Sequence, residues 1–197
     1  MLIDSHCHLD FPELASDESG VLARARTAGI AGMLTIGTRL DQFDRVRAIA
    51  ERHGNVWCSV GVHPHEAKEE GQSEPARLIE AARHPKVIGI GETGLDFFYE
   101  HSPREEQAES FRTHIVAARE AGLPLIVHTR DADADTELEP ALRPSQRQGG
   151  HDLADIDARI GERHARAVDD AAQDVAAGVV GAEPVGPAGA DRTEQQV

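Results

Sequence analysis

Short apolar runs alternate with longer amphipathic stretches along the first 136 residues of the chain. Five runs are rich in Val and Ile and are bounded by Gly, Pro, Asp or Asn, a pattern typical of buried β-strands. The predicted strands are Leu2–Cys7, Gly32–Gly37, Val56–Val62, Val87–Gly91 and Leu123–Val127. The intervening stretches have the periodicity of helices over Glu18–Ala28, Leu40–Arg52, Glu74–Arg83 and Pro103–Ala121. Repeated βα units of this kind predict an α/β fold with a parallel sheet and helices outside it.

The last of these helices has recognisable ends. Ser102 is predicted as its N-cap, with Pro103 at the first helical position and Glu105 completing a near capping box. Gly122 follows the helix and suits the left-handed conformation in which many helices end.

The pattern changes after about Thr136. Residues 137–197 contain no aromatic residue, Lys, Cys or Met and are rich in Ala, Arg, Asp, Gly and Pro. We therefore divide the chain into residues 1–136 and an atypical tail, with weak helical periodicity over Asp152–Gln173 and a composition typical of disorder over Gly181–Val197. A GC-rich gene read in a shifted frame gives such a composition, so we hypothesise that the tail is frameshifted translation. A genuine but divergent C-terminus is the alternative.

Composition and charge narrow the class of protein. The 197 residues are 40% apolar and 28% charged, with a formal net charge of −15. This excess of acidic residues argues against a protein that coats nucleic acid with a basic face, but not against a nuclease that binds phosphates through bound cations.

We expect Cys7 and Cys58 to be buried, reduced thiols. Because no secretory signal and no membrane-length apolar stretch are found, we expect a cytoplasmic protein with no membrane contact and no evident protein partner.

His6 and His8 lie two residues apart at the end of the first predicted strand. Residues two apart on a strand face the same way, so Asp4, His6 and His8 share a face while Cys7 points to the other. Two imidazoles at this spacing can bind one divalent metal ion, and Asp4 is placed to fix a ring from outside. Polar residues at a strand end give the same pattern, so the pair alone does not establish a metal site.

Two further metal-ligand residues, Glu92 and His128, end the fourth and fifth predicted strands. In a parallel βα barrel the carboxyl ends of all strands open on one face, where active sites lie. His6, His8, Glu92 and His128 are therefore expected to converge. Mixed imidazole and carboxylate ligands suit Zn²⁺ or Mn²⁺, with Mg²⁺ possible at a more oxygen-rich position.

His63 follows the third predicted strand and, by strand parity, shares a face with Trp57, Ser59 and Gly61. If that face is interior, His63 lies at the same opening and faces the substrate, where it would donate to a phosphate; a purely structural histidine is the alternative. Other histidines lie in loops or helical patterns, where solvated or capping roles are expected: His53, His65, His84, His101 and His114.

Four motifs, in this order, resemble the TatD family of metal-dependent deoxyribonucleases. They are DSHCHLD at Asp4–Asp10, GVHP at Gly61–Pro64, GETGLD at Gly91–Asp96 and VHTRDADAD at Val127–Asp135. The resemblance covers residues 1 to about 136 and implies a TIM-like (β/α) barrel, of which this chain holds about five of the eight βα units.

The resemblance also implies a site with two divalent ions, Mg²⁺, Mn²⁺ or Zn²⁺. His6 and His8 would bind one ion, Glu92 would bridge both, and His128 would bind the second; the catalytic residues stay unknown. Two such ions activate water and stabilise the leaving oxygen, which suits hydrolysis of phosphodiester bonds in DNA. Single strands or ends of DNA are the expected substrate.

The later motifs of the family, which carry a further His and a late Asp, have no match in residues 137–197. We therefore expect the nuclease activity of this chain to be impaired. Two alternatives stay open: a related barrel hydrolase that cleaves C–N or ester bonds of a small molecule, and an inactive metal-binding fragment. A substrate panel of DNA, cyclic amides and lactones distinguishes the first, and metal stoichiometry distinguishes the second.

Overall fold

The computed structural model describes residues 2–71 and 74–138, with side chains to Thr136. Strands β1 to β5 span Leu2–Cys7, Ile30–Thr35, Val56–Val60, Val87–Asp96 and Leu125–Arg130. Helices α1 to α7 span Pro12–Ala15, Glu18–Thr27, Phe43–Arg52, Ala67–Glu70, Pro75–Ala81, Arg104–Ala121 and Asp133–Leu138. A 3₁₀ helix covers Pro64–Glu66. The predicted helical and disordered parts of the tail, and the hypothesis of a shifted frame, lie outside the described residues.

The strands form one parallel sheet in the order β1-β2-β3-β4-β5. Each strand pairs with the next one along the chain, as Met33 of β2 does with Val56 of β3 and Ser59 of β3 with Gly89 of β4. Sequential parallel pairing with helices between the strands is the arrangement of a (β/α) barrel. The five described strands curl into half of such a barrel, which confirms the predicted fold class.

The sheet carries apolar side chains on both faces. Val56 and Val60 of β3 are fully buried in the core that the outer helices cover. Trp57 lies on the opposite face, where it packs against Leu34 and Ile88. Because alternate residues enter different layers, β3 is a continuous apolar run rather than an alternating one.

Two strands are longer than predicted. The ladder between β4 and β5 continues through polar residues, with Gly94 opposite His128 and Asp96 opposite Arg130. Glu92 and His128 therefore lie within strands, which corrects the prediction that they end them. Apolar patterning does not detect strand residues whose side chains line a polar site.

The ends of α6 were predicted only in part. Gly122 has φ 63° and ψ 38°, which confirms the left-handed end of the helix. The N-cap prediction was wrong: Pro103 occupies that position, and the Ser102 hydroxyl instead donates to the His65 carbonyl at 2.7 Å and accepts from the Lys68 amide at 3.0 Å. Ser102 thus joins the start of α6 to α4.

Both cysteines are free thiols, Cys58 fully buried and Cys7 half-buried. Burial raises the pKa of each thiol to about 12, so both stay protonated and unreactive. Among the helices of the described residues, none has the length and apolar character needed to cross a membrane.

Candidate metal centre

Polar side chains gather in a cleft of about 310 Å³ at the carboxyl ends of the strands. The residues that line it are His8, Phe11, Thr38, His63, His65, Glu66, Glu92, His128 and Arg130. The convergence expected of parallel strands is therefore present, because β4 and β5 and the segments that follow β1, β2 and β3 all contribute to one opening.

The two histidines of the first motif lie together beside this cleft. The rings of His6 and His8 have centroids 5.2 Å apart, and His6 Nε2 lies 3.4 Å from Glu92 Oε2. Asp4 does not fix either ring, contrary to the prediction, since its carboxylate accepts from the backbone amide of His6 at 3.2 Å. From two positions along the strand, the Asp4 carboxylate reaches the backbone amide of His6 more readily than its ring.

Glu92 is buried, and its two carboxylate oxygens face different histidines. Oε2 faces His6, whereas Oε1 lies 3.1 Å from Nδ1 of His128. Burial opposes ionisation of Glu92, but the hydrogen bond from His128 and the electrostatic interactions with the surrounding imidazoles outweigh it, so the pKa is lowered. Glu92 is therefore a carboxylate anion between two sets of imidazoles.

Two groups of side chains within the described residues have the spacing of metal ligands, and Glu92 belongs to both. One is His6, His8 and Glu92; the other is His63, Glu92 and His128. Within each group the candidate ligand atoms lie within 4.8 Å of one another. All four predicted ligands are thus brought together.

An observation on His8 fits a bound cation. Its Nδ1 atom is buried and has no hydrogen-bond partner among the described residues. A buried polar atom without a partner costs free energy that binding of an ion or of its water ligand would offset. The donors present, imidazole nitrogen and carboxylate oxygen, are those that borderline divalent ions prefer.

His63 lies against His128, with His63 Nε2 3.2 Å from His128 Nδ1. Its own Nδ1 accepts from the backbone amide of His65 at 3.2 Å. Burial lowers the pKa of His63 to about 4, so the ring is neutral at pH 7 and carries its proton on Nε2. That tautomer presents an N–H donor to the cleft, which favours contact with substrate over metal ligation.

Two residues of the site were missed in the sequence. His65 was expected to be solvated, but its Nε2 lies 2.9 Å from Oδ2 of the fully buried Asp96. Burial opposes ionisation of Asp96, yet hydrogen bonds from the Tyr99 amide and from two imidazoles hold its pKa well below the usual value. Asp96 stands in the GETGLD motif, four residues after Glu92. The motif was therefore the available signal, and strand parity places both carboxylates on one face.

His114 of α6 was also expected to be solvated or capping, and this was wrong. The ring is buried between α6 and the loop after β3, where Nε2 accepts from the Val62 amide at 2.9 Å and Nδ1 donates to the Ser110 carbonyl at 2.7 Å. Burial lowers its pKa to about 4. His53 and His84 are half-buried partners of carboxylates, and His101 is exposed.

Aromatic side chains flank the opening. Phe11 stacks on His8 with centroids 4.6 Å apart, and Tyr99 stacks on His101 at 5.6 Å. Arg130 lies over the Tyr99 ring at 5.2 Å, and Phe98 and Tyr99 are half-exposed or more. Exposed rings beside a guanidinium are features of sites that stack nucleobases.

Comparison with known proteins gives matches over the same part of the chain. The model of the family "TatD related DNase" matches residues 3–149, thirteen residues beyond the predicted boundary at 136. A 3'-5' ssDNA/RNA exonuclease TatD of Enterobacter lignolyticus is 37% identical over 131 residues, covering 66% of this chain and 50% of the relative. The Escherichia coli protein YcfH, described as an uncharacterized metal-dependent hydrolase, is 40% identical over 138 residues, or 68% of this chain and 51% of the relative.

A solved structure has the same architecture. The crystal structure of YJJV, a TatD homolog from Escherichia coli K12, superposes with a TM-score of 0.66 at 29% identity, covering 83% of this chain and 65% of that chain. The chain spans about half the length of the curated relatives that it matches.

Proposed function

Because the chain belongs to the TatD-related DNase family, we propose that it is a metal-dependent hydrolase of phosphodiester bonds in single-stranded DNA or RNA. The observation that supports this most is the position of Glu92, whose oxygens lie 3.4 Å from His6 Nε2 and 3.1 Å from His128 Nδ1. A carboxylate with an imidazole at each oxygen can serve two ions at once, and two neighbouring ions stabilise both the attacking and the leaving oxygen of a phosphodiester.

We propose that His6, His8 and Glu92 hold one divalent ion and that Glu92 and His128 hold a second. Zn²⁺, Mn²⁺ and Mg²⁺ are the candidate ions, since the donors are imidazole nitrogens and carboxylate oxygens. When bound, such ions supply an activated water and neutralise charge on the phosphate. Their positive charge also explains how a chain whose formal net charge is −15 can bind a polyanionic substrate.

The surrounding side chains have separate tasks in this proposal. The neutral His63 donates a hydrogen bond from Nε2 to a phosphate oxygen, the role expected of a substrate-facing residue. Arg130, which lines the cleft, contributes positive charge near the phosphate. Phe11, Phe98 and Tyr99 stack on bases and favour a single strand, whose bases are free to turn outward.

The substrate class is drawn from the relatives. The TatD proteins of Enterobacter lignolyticus and Shigella flexneri are named as 3'-5' ssDNA/RNA exonucleases. RNA is therefore a candidate substrate in addition to the DNA expected from the sequence.

Within the described residues, four donor side chains are few for two ions, which normally take four or more ligands each. Slow turnover is consequently part of the proposal. A cytoplasmic location stays a prediction from the sequence.

The test is the degradation of 5'-labelled single-stranded DNA and RNA oligonucleotides with Mg²⁺, Mn²⁺ or Zn²⁺. We expect slow, ion-dependent shortening from the 3' end, abolished in Glu92→Gln. Glu18→Gln is the matched control, because Glu18 also binds an imidazole, His53 Nε2 at 2.7 Å, but does so at the opposite end of β3. Hydrolysis of cyclic amides or lactones in place of both polymers would support the small-molecule alternative and contradict the proposal.

A further inference from the structure

Asp96, the last residue of β4, is fully buried, and its Oδ1 atom secures the loop that follows. Oδ1 accepts from the backbone amides of Phe98 at 3.1 Å and Tyr99 at 3.0 Å. The backbone of Asp96 is held equally firmly by Gln107 of α6, whose Oε1 accepts from the Asp96 amide at 2.7 Å and whose Nε2 donates to the Asp96 carbonyl at 3.1 Å. These contacts fix the position and the orientation of the carboxylate.

The other oxygen, Oδ2, is left for two imidazoles. It lies 2.9 Å from Nε2 of His65 and 3.1 Å from Nε2 of His128, with the Arg130 guanidinium at 3.8 Å. An ionised carboxylate only accepts hydrogen bonds, so both Nε2 atoms must carry protons. The proton that His128 gives up on metal binding is therefore the one on Nδ1, which the ring donates to Glu92 in the metal-free chain, and the lone pair is left on that atom.

That lone pair faces the proposed metal centre. His128 Nδ1 is the atom that lies 3.1 Å from Glu92 Oε1 and 3.2 Å from His63 Nε2. Two acceptors, a carboxylate oxygen and an imidazole lone pair, approach this closely only with a proton or a cation between them. The tautomer that Asp96 imposes is thus the one that ligates a cation beside Glu92.

We propose that Asp96 is a positioning residue that holds His128 and His65 in the Nε2–H tautomer, so that His128 presents Nδ1 to a metal ion and His65 keeps a fixed orientation in the cleft. The inference rests on the proposed metal-dependent function. It adds a residue four positions beyond Glu92 that touches neither substrate nor metal. Carboxylates that accept from the second nitrogen of a ligand histidine commonly raise metal affinity by about ten- to a hundredfold.

A purely structural role for Asp96 would involve Oδ1 alone, since that oxygen satisfies the loop amides. Asp96→Asn separates the two roles. The amide oxygen of Asn can replace Oδ1, while the amide nitrogen presents donors where Oδ2 had accepted. The substitution therefore favours the Nδ1–H tautomer of His128, which blocks the ligating nitrogen.

The first measurement uses long-range ¹H–¹⁵N correlation of the histidine rings in the metal-free full-length chain, at a pH high enough to leave one proton on each ring. Because hydrogen bonds with Glu92 and Asp96 raise the pKa of His128, this pH lies above the usual range for imidazole. We expect Nε2–H tautomers for His65 and His128 in the wild-type chain and in Glu18→Gln, and Nδ1–H for His128 in Asp96→Asn. An Nδ1–H tautomer of His128 in the wild-type chain overturns the proposal. That result is decisive even if Asp96→Asn does not fold, because it is measured on the wild-type chain.

The second measurement is calorimetric titration of the same proteins with Mn²⁺ and Zn²⁺. We expect Asp96→Asn to bind about ten- to a hundredfold more weakly than the wild type, and Glu18→Gln to bind equally well. Unchanged affinity in a folded Asp96→Asn variant overturns the role toward the metal. A wild-type chain that binds neither ion refutes the proposed function instead, and the tautomers still decide whether Asp96 orients the rings.

Discussion

Glu92 and His128 are joined by a 3.1 Å contact between Oε1 and Nδ1, although they lie on different strands, 36 residues apart. The parallel pairing of β4 and β5 produces this contact, since Gly94 lies opposite His128 in the ladder. The second oxygen of Glu92 faces His6 of β1. One buried carboxylate therefore connects both edges of the described sheet at the site.

Replacement of this carboxylate should remove metal binding. Glu92 is common to both candidate ligand groups, so Glu92→Gln takes an anionic ligand from each. We expect the affinity for Mn²⁺ and Zn²⁺ to fall by more than about a hundredfold, beyond the effect of an outer-shell change. Equilibrium dialysis measures this, with Glu18→Gln as the control. Stoichiometric binding retained in Glu92→Gln would refute the shared role.

His114 should make stability depend on pH. Its pKa is lowered from 6.5 to about 4 in the folded chain, so the unfolded chain binds more protons between these values. The stabilisation is complete above pH 6.5 and is lost as the pH falls toward 4. We expect the neutral ring to account for about 2 kcal/mol of lost stability between pH 8 and pH 5.

Urea unfolding in EDTA at both pH values measures this effect, with His114→Gln for comparison. The variant retains groups that can pair with the Val62 amide and lacks the titrating ring. Its stability should fall less than that of the wild type over the same range, while His63 contributes equally to both proteins. Identical pH dependence in the two proteins would contradict the assignment.

Gly94 should be a position where no side chain is tolerated. It has φ +141°, and a Cβ atom there would lie 2.0 Å from the carbonyl oxygen of His128. Gly94→Ala is expected to lower the free energy of unfolding by more than about 3 kcal/mol, since it adds a clash to the backbone strain. Gly29→Ala is the control for strain alone, because Gly29 has φ +89° and nothing within 4 Å of the added atom. Equal losses in the two variants would show that close approach of β4 and β5 is unimportant.

Tyr99 should contribute to nucleic-acid binding through its ring. The side chain is 51% exposed beside Arg130, and only its backbone amide binds Asp96, so Tyr99→Ala leaves that contact intact. Stacking on one base is worth roughly 1–3 kcal/mol, which corresponds to a loss of about 5- to 150-fold in affinity. Fluorescence anisotropy with a labelled single strand and Ca²⁺ measures the loss.

Two variants control this measurement. Tyr99→Phe keeps the ring and should retain most of the affinity. Val116→Ala removes another exposed apolar side chain, on α6, and should have no effect. Binding of Tyr99→Ala at the wild-type level would exclude stacking at this position.

The sequence predicted the strands best where both faces are apolar. The run Val56–Val60 is recognisable because its residues enter either the outer core or the interior around Trp57. The second half of β4 was missed because Glu92 and Asp96 look like loop residues when only hydrophobicity is considered. Short elements such as α1 and the 3₁₀ helix Pro64–Glu66 are too brief to show periodicity.

The candidate site was predicted in part for a similar reason. His6, His8, Glu92 and His128 follow or interrupt apolar runs, so parallel topology alone brings them together. Asp96 and His65 meet only because the loop after β3 folds back toward the end of β4, a contact 31 residues apart that local pattern does not encode. The same is true of His114, whose partner, the Val62 amide, lies 52 residues away.

In the proposed metal centre Glu92 is shared by two ions, one at His6 and His8 and one at His128. Anomalous diffraction from crystals of the full chain grown with Zn²⁺ tests it most directly. We expect two anomalous peaks on either side of the Glu92 carboxylate, one within bonding distance of His6 and His8 and the other within bonding distance of His128 Nδ1. Absence of density beside Glu92 at saturating Zn²⁺, with peaks only at other sites, would contradict it.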